Sequence, residues 1–212
     1  MNPRNLAMGG ALLAGMAFAS PLNAAIHIFN SPGSVQPTEN LQFDGSATGQ
    51  TLGGTTNNTD TSVTFQSLVS GVNLTSSSNG QARVEADGGA LDSLRFFLTG
   101  GKSFGDVEFN LHKAATDTSS VTVTFLGSFG SETRTFDLKN GSNWIAASTD
   151  GGDLISAVLF DTNGAGVGDL RQVRLGAFTA VPEPASWAKL LGGFGILGLA
   201  TRRQKRTTMT LA

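Results

Sequence analysis

The 212-residue chain has no cysteine, no tyrosine and only two histidines. Without cysteine there is no disulfide framework, thiolate zinc site, Fe–S cluster or cysteine nucleophile. With His27 and His112 alone, a histidine-based triad has little to draw on, and neither HExxH nor a close histidine pair occurs. No Gly-x-Ser-x-Gly elbow is present, and no glycine-rich phosphate loop precedes a helical pattern. Charged side chains make up only 14% of the chain. No long stretch carries a 3.6-residue apolar period, which argues against a helical body. The 28 glycines follow no three-residue repeat, so collagen is excluded.

The two ends read as addresses. Arg4 precedes a small-residue apolar run over residues 6–19, and Ala17-Phe18-Ala19 fits the small-x-small rule for cleavage before Ser20. Cleavage after Ala24 or Ala25 is preferred, because Pro21 ends an apolar helix. Residues 1–25 are therefore expected to be a signal peptide, removed by signal peptidase. At the other end stand Pro182-Glu183-Pro184, an apolar stretch over 185–201 with Lys189 as its only charge, and Arg202-Arg203-Gln204-Lys205-Arg206. Seventeen helical residues would span roughly 25 Å, slightly short of a hydrocarbon layer of about 30 Å. Interfacial Trp187 and snorkelling Lys189 make up the difference. The basic run stays cytoplasmic, placing the residues before Pro182 across the membrane.

This tail resembles the PEP-CTERM sorting signal of Gram-negative bacteria, carried by Pro182, Glu183 and Pro184, the glycine-rich span and the basic cluster Arg202, Arg203, Lys205 and Arg206. The resemblance covers residues 181–206, leaving 207–212 as the tail end. It implies processing by an exosortase-type membrane peptidase and delivery to the outer envelope or outside, often where exopolysaccharide is made. It says nothing of the body's activity. A plain single-pass anchor is the alternative.

Residues 26–180 make one domain, large enough for a hydrophobic core. With 8 Lys/Arg against 15 Asp/Glu its formal charge is −7, unsuited to gripping nucleic acid. Alternation predicts strands with inward rows Val63/Phe65, Ala82/Val84/Ala86, Leu94/Phe96/Leu98, Val107/Phe109/Leu111 and Val121/Val123/Phe125. Glu108, Asn110 and His112 are expected to face water. Residues 154–160 read as a central strand, and Arg171, Val173 and Leu175 as one face of the last. Asn79-Gly80 and Asn140-Gly141 mark turns. Residues 45–60, mostly Gly, Thr, Asn and Ser, read as a flexible loop. About eight strands predict an all-β, antiparallel two-layer sandwich, jelly-roll-like by preference, with an immunoglobulin-like sandwich or small barrel as alternatives. Charge-poor, Thr-rich strands with an uncovered edge also allow self-association.

Candidate chemistry is sparse, and the expectation is a noncatalytic envelope or matrix protein requiring no cofactor. Asp161, Asn163 and Asp169 flank a glycine-rich loop whose oxygens suit Ca²⁺, with Asp150-Gly151-Gly152-Asp153 nearby; a plain turn is the competing reading. Trp144, the only tryptophan of the body, is the candidate glycan platform, and Phe97 falls opposite the apolar row of its strand. The alternative is that these rings fill the core. A carboxylate-based glycosidase would need two opposed groups from Glu85, Asp87, Asp92, Asp106 and Glu108.

Overall fold

The computed structural model describes residues 26–77, 81–113 and 119–178. The expected signal peptide, the Asn79-Gly80 turn, the sorting motif and the basic cluster lie outside them. Fourteen strands occur among the described residues: β1 (Ile26–Phe29), β2 (Glu39–Gln42), β3 (Ala47–Gly49), β4 (Thr51–Thr56), β5 (Ser62–Ser67), β6 (Leu74–Ser76) and β7 (Arg83–Ala86). They continue as β8 (Ser93–Leu98), β9 (Asp106–Lys113), β10 (Ser120–Gly127), β11 (Gly130–Asp137), β12 (Gly141–Thr149), β13 (Ile155–Asp161) and β14 (Asp169–Gly176). No helix among the described residues is long and apolar enough to cross a membrane.

Every pairing is antiparallel, in the order β1-β12-β9-β14-β2-β4-β5-β8-β13-β10-β11, with β7, β6 and β3 branching from β14. The architecture is all-β and barrel-like. Strand β2 makes the corner: Glu39 and Asn40 pair with Leu175 and Arg174 of β14, while Leu41 and Gln42 pair with Thr56 and Thr55 of β4. The sheet thereby folds back on itself, and its two halves meet through the inward rows. Phe43, Phe65, Phe96 and Phe109 form a chain of rings with centroids 5.7, 5.8 and 5.6 Å apart, the last contact edge-on between β8 and β9. Burying each ring stabilises the fold by about 1.5–3 kcal/mol, and a well-oriented ring pair adds about 0.5–1.5 kcal/mol.

The predicted inward rows are buried as expected. Residues 45–60 differ from expectation, because β3 and the whole of β4 lie there. Leu52 enters the core, but the next inward position is Gly54. A Cβ at Gly54 would sit 2.9 Å from the Gln42 carbonyl oxygen and 3.2 Å from the Phe43 ring. The strand's inward space is filled by a neighbour's ring, so a mobile-loop composition conceals a packed strand. The last strand also departs from simple alternation. Its pairing with β9 shifts register between Arg171 and Arg174, and Gln172 has φ 55°. This bulge turns Leu170, Val173 and Leu175 inward and leaves Arg171, Gln172 and Arg174 half-exposed.

Candidate functional site

Strand β12, rich in small side chains, places Trp144 on the outer face of the β1-β12-β9-β14 half, half-buried. Directly opposite residues in antiparallel strands share a face. Trp144 pairs with Asn110, Asn110 with Arg171, and Arg171 with Arg83. These four form one row across β12, β9, β14 and β7, about 14–15 Å long at three strand spacings. The neighbouring row contains Ser142, His112 and Asp169.

Asn110 and Glu108 do not face water; each is 1% exposed, although both project outward. The segment between β1 and β2 crosses this part of the face, where the Gly33 N–H donates to Glu108 Oε2 at 2.7 Å and Arg174 bonds Oε1 at 3.3 Å. Asn110 is fixed at both ends of its amide. Its Oδ1 accepts the Asn143 N–H at 3.0 Å, and its Nδ2 donates to Gln172 Oε1 at 3.1 Å. Asn143 secures the turn before Trp144 by donating to the Lys139, Gly141 and Leu111 carbonyls and accepting the Lys139 N–H at 2.7 Å. Such a network holds the indole on a rigid support.

Two hollows flank the row. A groove of about 470 Å³ is lined by Ser77, Gln81, Arg83, Ser142, Arg171 and Gln172. A smaller cleft of about 220 Å³ lies where β1 ends and includes Trp144, Asn30, Pro32 and Phe136. Ser142 lines both and joins them.

Charge on the face is organised by Asp169, which is 1% exposed. Arg171 donates from Nε to Oδ1 at 2.5 Å and from Nη2 to Oδ2 at 2.5 Å. Arg83 approaches Oδ2 through Nε at 3.1 Å and Nη2 at 3.0 Å, and also meets Glu85 at 2.5 Å. The bond to Asp169 raises the Arg171 pKa above its ordinary value, so this guanidinium stays charged.

Of the expected calcium-loop residues, Asp161 and Asn163 meet in a turn while Asp169 is engaged elsewhere. Asp161 ends β13, whereas Asp169 begins β14 in the opposite half, with its carboxylate held by the two arginines. Asp161 Oδ1 accepts the Asn163 N–H at 2.7 Å, the self-bonding of an Asx turn, and Asn163 has φ 56°. Asp92 Oδ1 holds the loop through Thr162 Oγ1 at 2.6 Å and the Gly164 N–H at 2.7 Å. Before the other end of β13, Asp150 meets His27 at 2.8 Å and Asp153 accepts from Ser128 at 2.6 Å. No group of three or more His, Asp or Glu positioned to hold a metal occurs among the described residues.

The two histidines are apart: His27 lies opposite Ser148, which pairs with Asp106, and His112 is six residues farther along β9. Burial raises the Asp106 pKa from its ordinary 3.8. Phe97 does face outward, with Arg95 4.6 Å above its ring, so its own strand supplies a cation for one face.

Sequence reasoning singled out Trp144 but not the residues that stand in its row, Asn110, Arg171 and Arg83, nor Gln172 beside them. Period-two spacing put Asn110 on an outward row; only the register of β12 shows that Trp144 joins it. Comparison with protein-family models, curated proteins and solved structures returned no match to this chain.

Proposed function

We propose that this chain is an exported, noncatalytic cell-envelope or matrix protein whose body binds polysaccharide on the Trp144 face. In this reading the barrel-like fold is a two-layer sandwich with jelly-roll-like connectivity. The row Trp144–Asn110–Arg171–Arg83 carries the proposal. A half-buried indole offers an apolar plate for the C–H face of a sugar ring, and the adjoining amides and guanidinium groups offer hydrogen bonds to its hydroxyls. An extended row beside an open groove suits a chain of linked rings better than a small enclosed ligand.

The carboxylates considered for glycosidase chemistry have structural partners or separate settings. Glu85 pairs with Arg83, Asp92 with Thr162, and Glu108 with Gly33 and Arg174. Delivery rests on the PEP-CTERM-like tail, with signal peptidase and an exosortase-type peptidase as processing partners. Intact mass of the secreted protein, in cells with and without that peptidase, tests the delivery half. Retention of the tail in both strains overturns it.

Affinity electrophoresis through gels containing neutral or acidic polysaccharides tests the binding half. Wild type is expected to be retarded, and Trp144→Ala to migrate freely while keeping a cooperative thermal transition. Retardation unchanged in Trp144→Ala, or none in wild type on any gel, overturns the assignment.

A further inference from the structure

We infer that the polysaccharide taken by this face is an acidic one, with a uronate-type carboxylate seated in the groove beside Trp144. This rests on the glycan-binding reading of the same face and adds the chemical class. The groove's lining is two arginines, two glutamines and two serines, without a carboxylate. Asp169 sits beneath it, 1% exposed, with both oxygens engaged by Arg83 and Arg171.

Those bonds use Nε and Nη2 of each guanidinium, and neither Nη1 has a protein partner among the described residues. Asp169 therefore orients two cations without consuming all of their donors. Gln172 adds directionality: its Oε1 is taken by Asn110, which leaves its Nε2 as a donor. Asp169 and Glu85 balance the charge of the two arginines, so what the groove presents is a set of directional guanidinium and amide N–H donors, the geometric complement of a carboxylate.

The domain's formal charge of −7 works in the opposite direction at long range. At physiological salt the screening length is about 8 Å, so distant carboxylates are largely screened while groups at contact are not. Contact geometry therefore decides at that ionic strength. The weakly acidic exterior then serves selectivity, because a polyanion gains nothing from touching the domain elsewhere.

Calorimetric titration of the folded domain with oligogalacturonate and with its methyl ester, at 0.15 M salt, tests the inference on one sugar backbone with and without charge. Wild type is expected to bind the acid form about tenfold more tightly than the ester. Arg83→Gln should remove most of that preference by weakening the acid form far more than the ester, and Trp144→Ala should weaken both ligands to a similar degree. Equal affinity for acid and ester overturns the acidic-ligand inference and leaves polysaccharide binding standing. Failure of wild type to bind either oligomer overturns the inference, while retardation by another polysaccharide in the gel assay would still support the broader reading. A preference for the acid that survives in Arg83→Gln overturns the groove as its seat.

Discussion

Arg134 Nη1 donates a 3.0 Å hydrogen bond to the Ile28 carbonyl, joining β11 to β1, the strands at opposite ends of the sheet path. A single side chain thus does across this gap what a ladder does elsewhere. Arg134→Gln is expected to cost less than about 1 kcal/mol in global stability, the value of one exposed hydrogen bond. Amide exchange over Ile26–Phe29 should nevertheless accelerate clearly, because β1 then retains only β12. Unchanged exchange in that strand would show that Arg134 does not close the gap.

Asp169 is the hinge of the charge network, and its two partners are unequally exposed, Arg83 at 46% and Arg171 at 29%. Asp169→Asn should cost about 3 kcal/mol, because two guanidinium groups lose a buried countercharge. Arg83→Gln should cost no more than about 1 kcal/mol, since Arg171 still covers the carboxylate. Urea unfolding of both variants checks the ranking. Equal costs would mean that the cluster behaves as an ordinary surface pair.

Asp106 gives a pH signature of known sign. Its pKa is raised by burial, so the folded state favours the protonated acid more than the unfolded chain does. That contribution is fully present below the ordinary value of 3.8 and is lost as pH rises through the raised value. Asp106→Asn should therefore raise the melting temperature at pH 7, with the advantage over wild type shrinking toward pH 3. A pH-independent difference would trace the effect to packing rather than to ionisation.

Phe96 and Phe109 hold the two halves together edge-to-face. Either ring replaced by Ala should cost about 3–5 kcal/mol. The double variant should fall short of additivity by about 0.5–1.5 kcal/mol, the part that belongs to the ring pair. Full additivity in denaturant melts would locate the loss in cavity formation alone.

Much of this fold was legible wherever an inward position carries a large apolar side chain. Val63, Phe65, Leu94, Phe96, Val107 and Phe109 each declare their face, and each is buried. Legibility failed where one residue's space is filled by another's side chain. Gly54 is a strand position packed by Phe43, and β12 enters the core through Ile145 and the small Ala147. It failed again at Gln172, because a bulge resets the period that alternation assumes. Trp144 could be singled out by scarcity, but its neighbours could not. Asn110 and Arg171 lie 34 and 27 residues away in the chain, and pairing register rather than local pattern puts them beside the indole.

The corner strand has a further consequence, for the order in which the molecule is completed. Glu39 meets Leu175, so the strand that turns the sheet from one half to the other finds its partner only after nearly the whole domain has emerged. Strand β14 also contacts β9 and β7, so three earlier strands await the same late arrival. Contacts so distant in sequence close slowly and late. A chain cut short before Asp169 would leave the corner unjoined and the Trp144 row without Arg171 and without the buried carboxylate that holds Arg83. Length itself becomes the criterion of a finished molecule, and the Trp144 face matures only in a chain that has passed it.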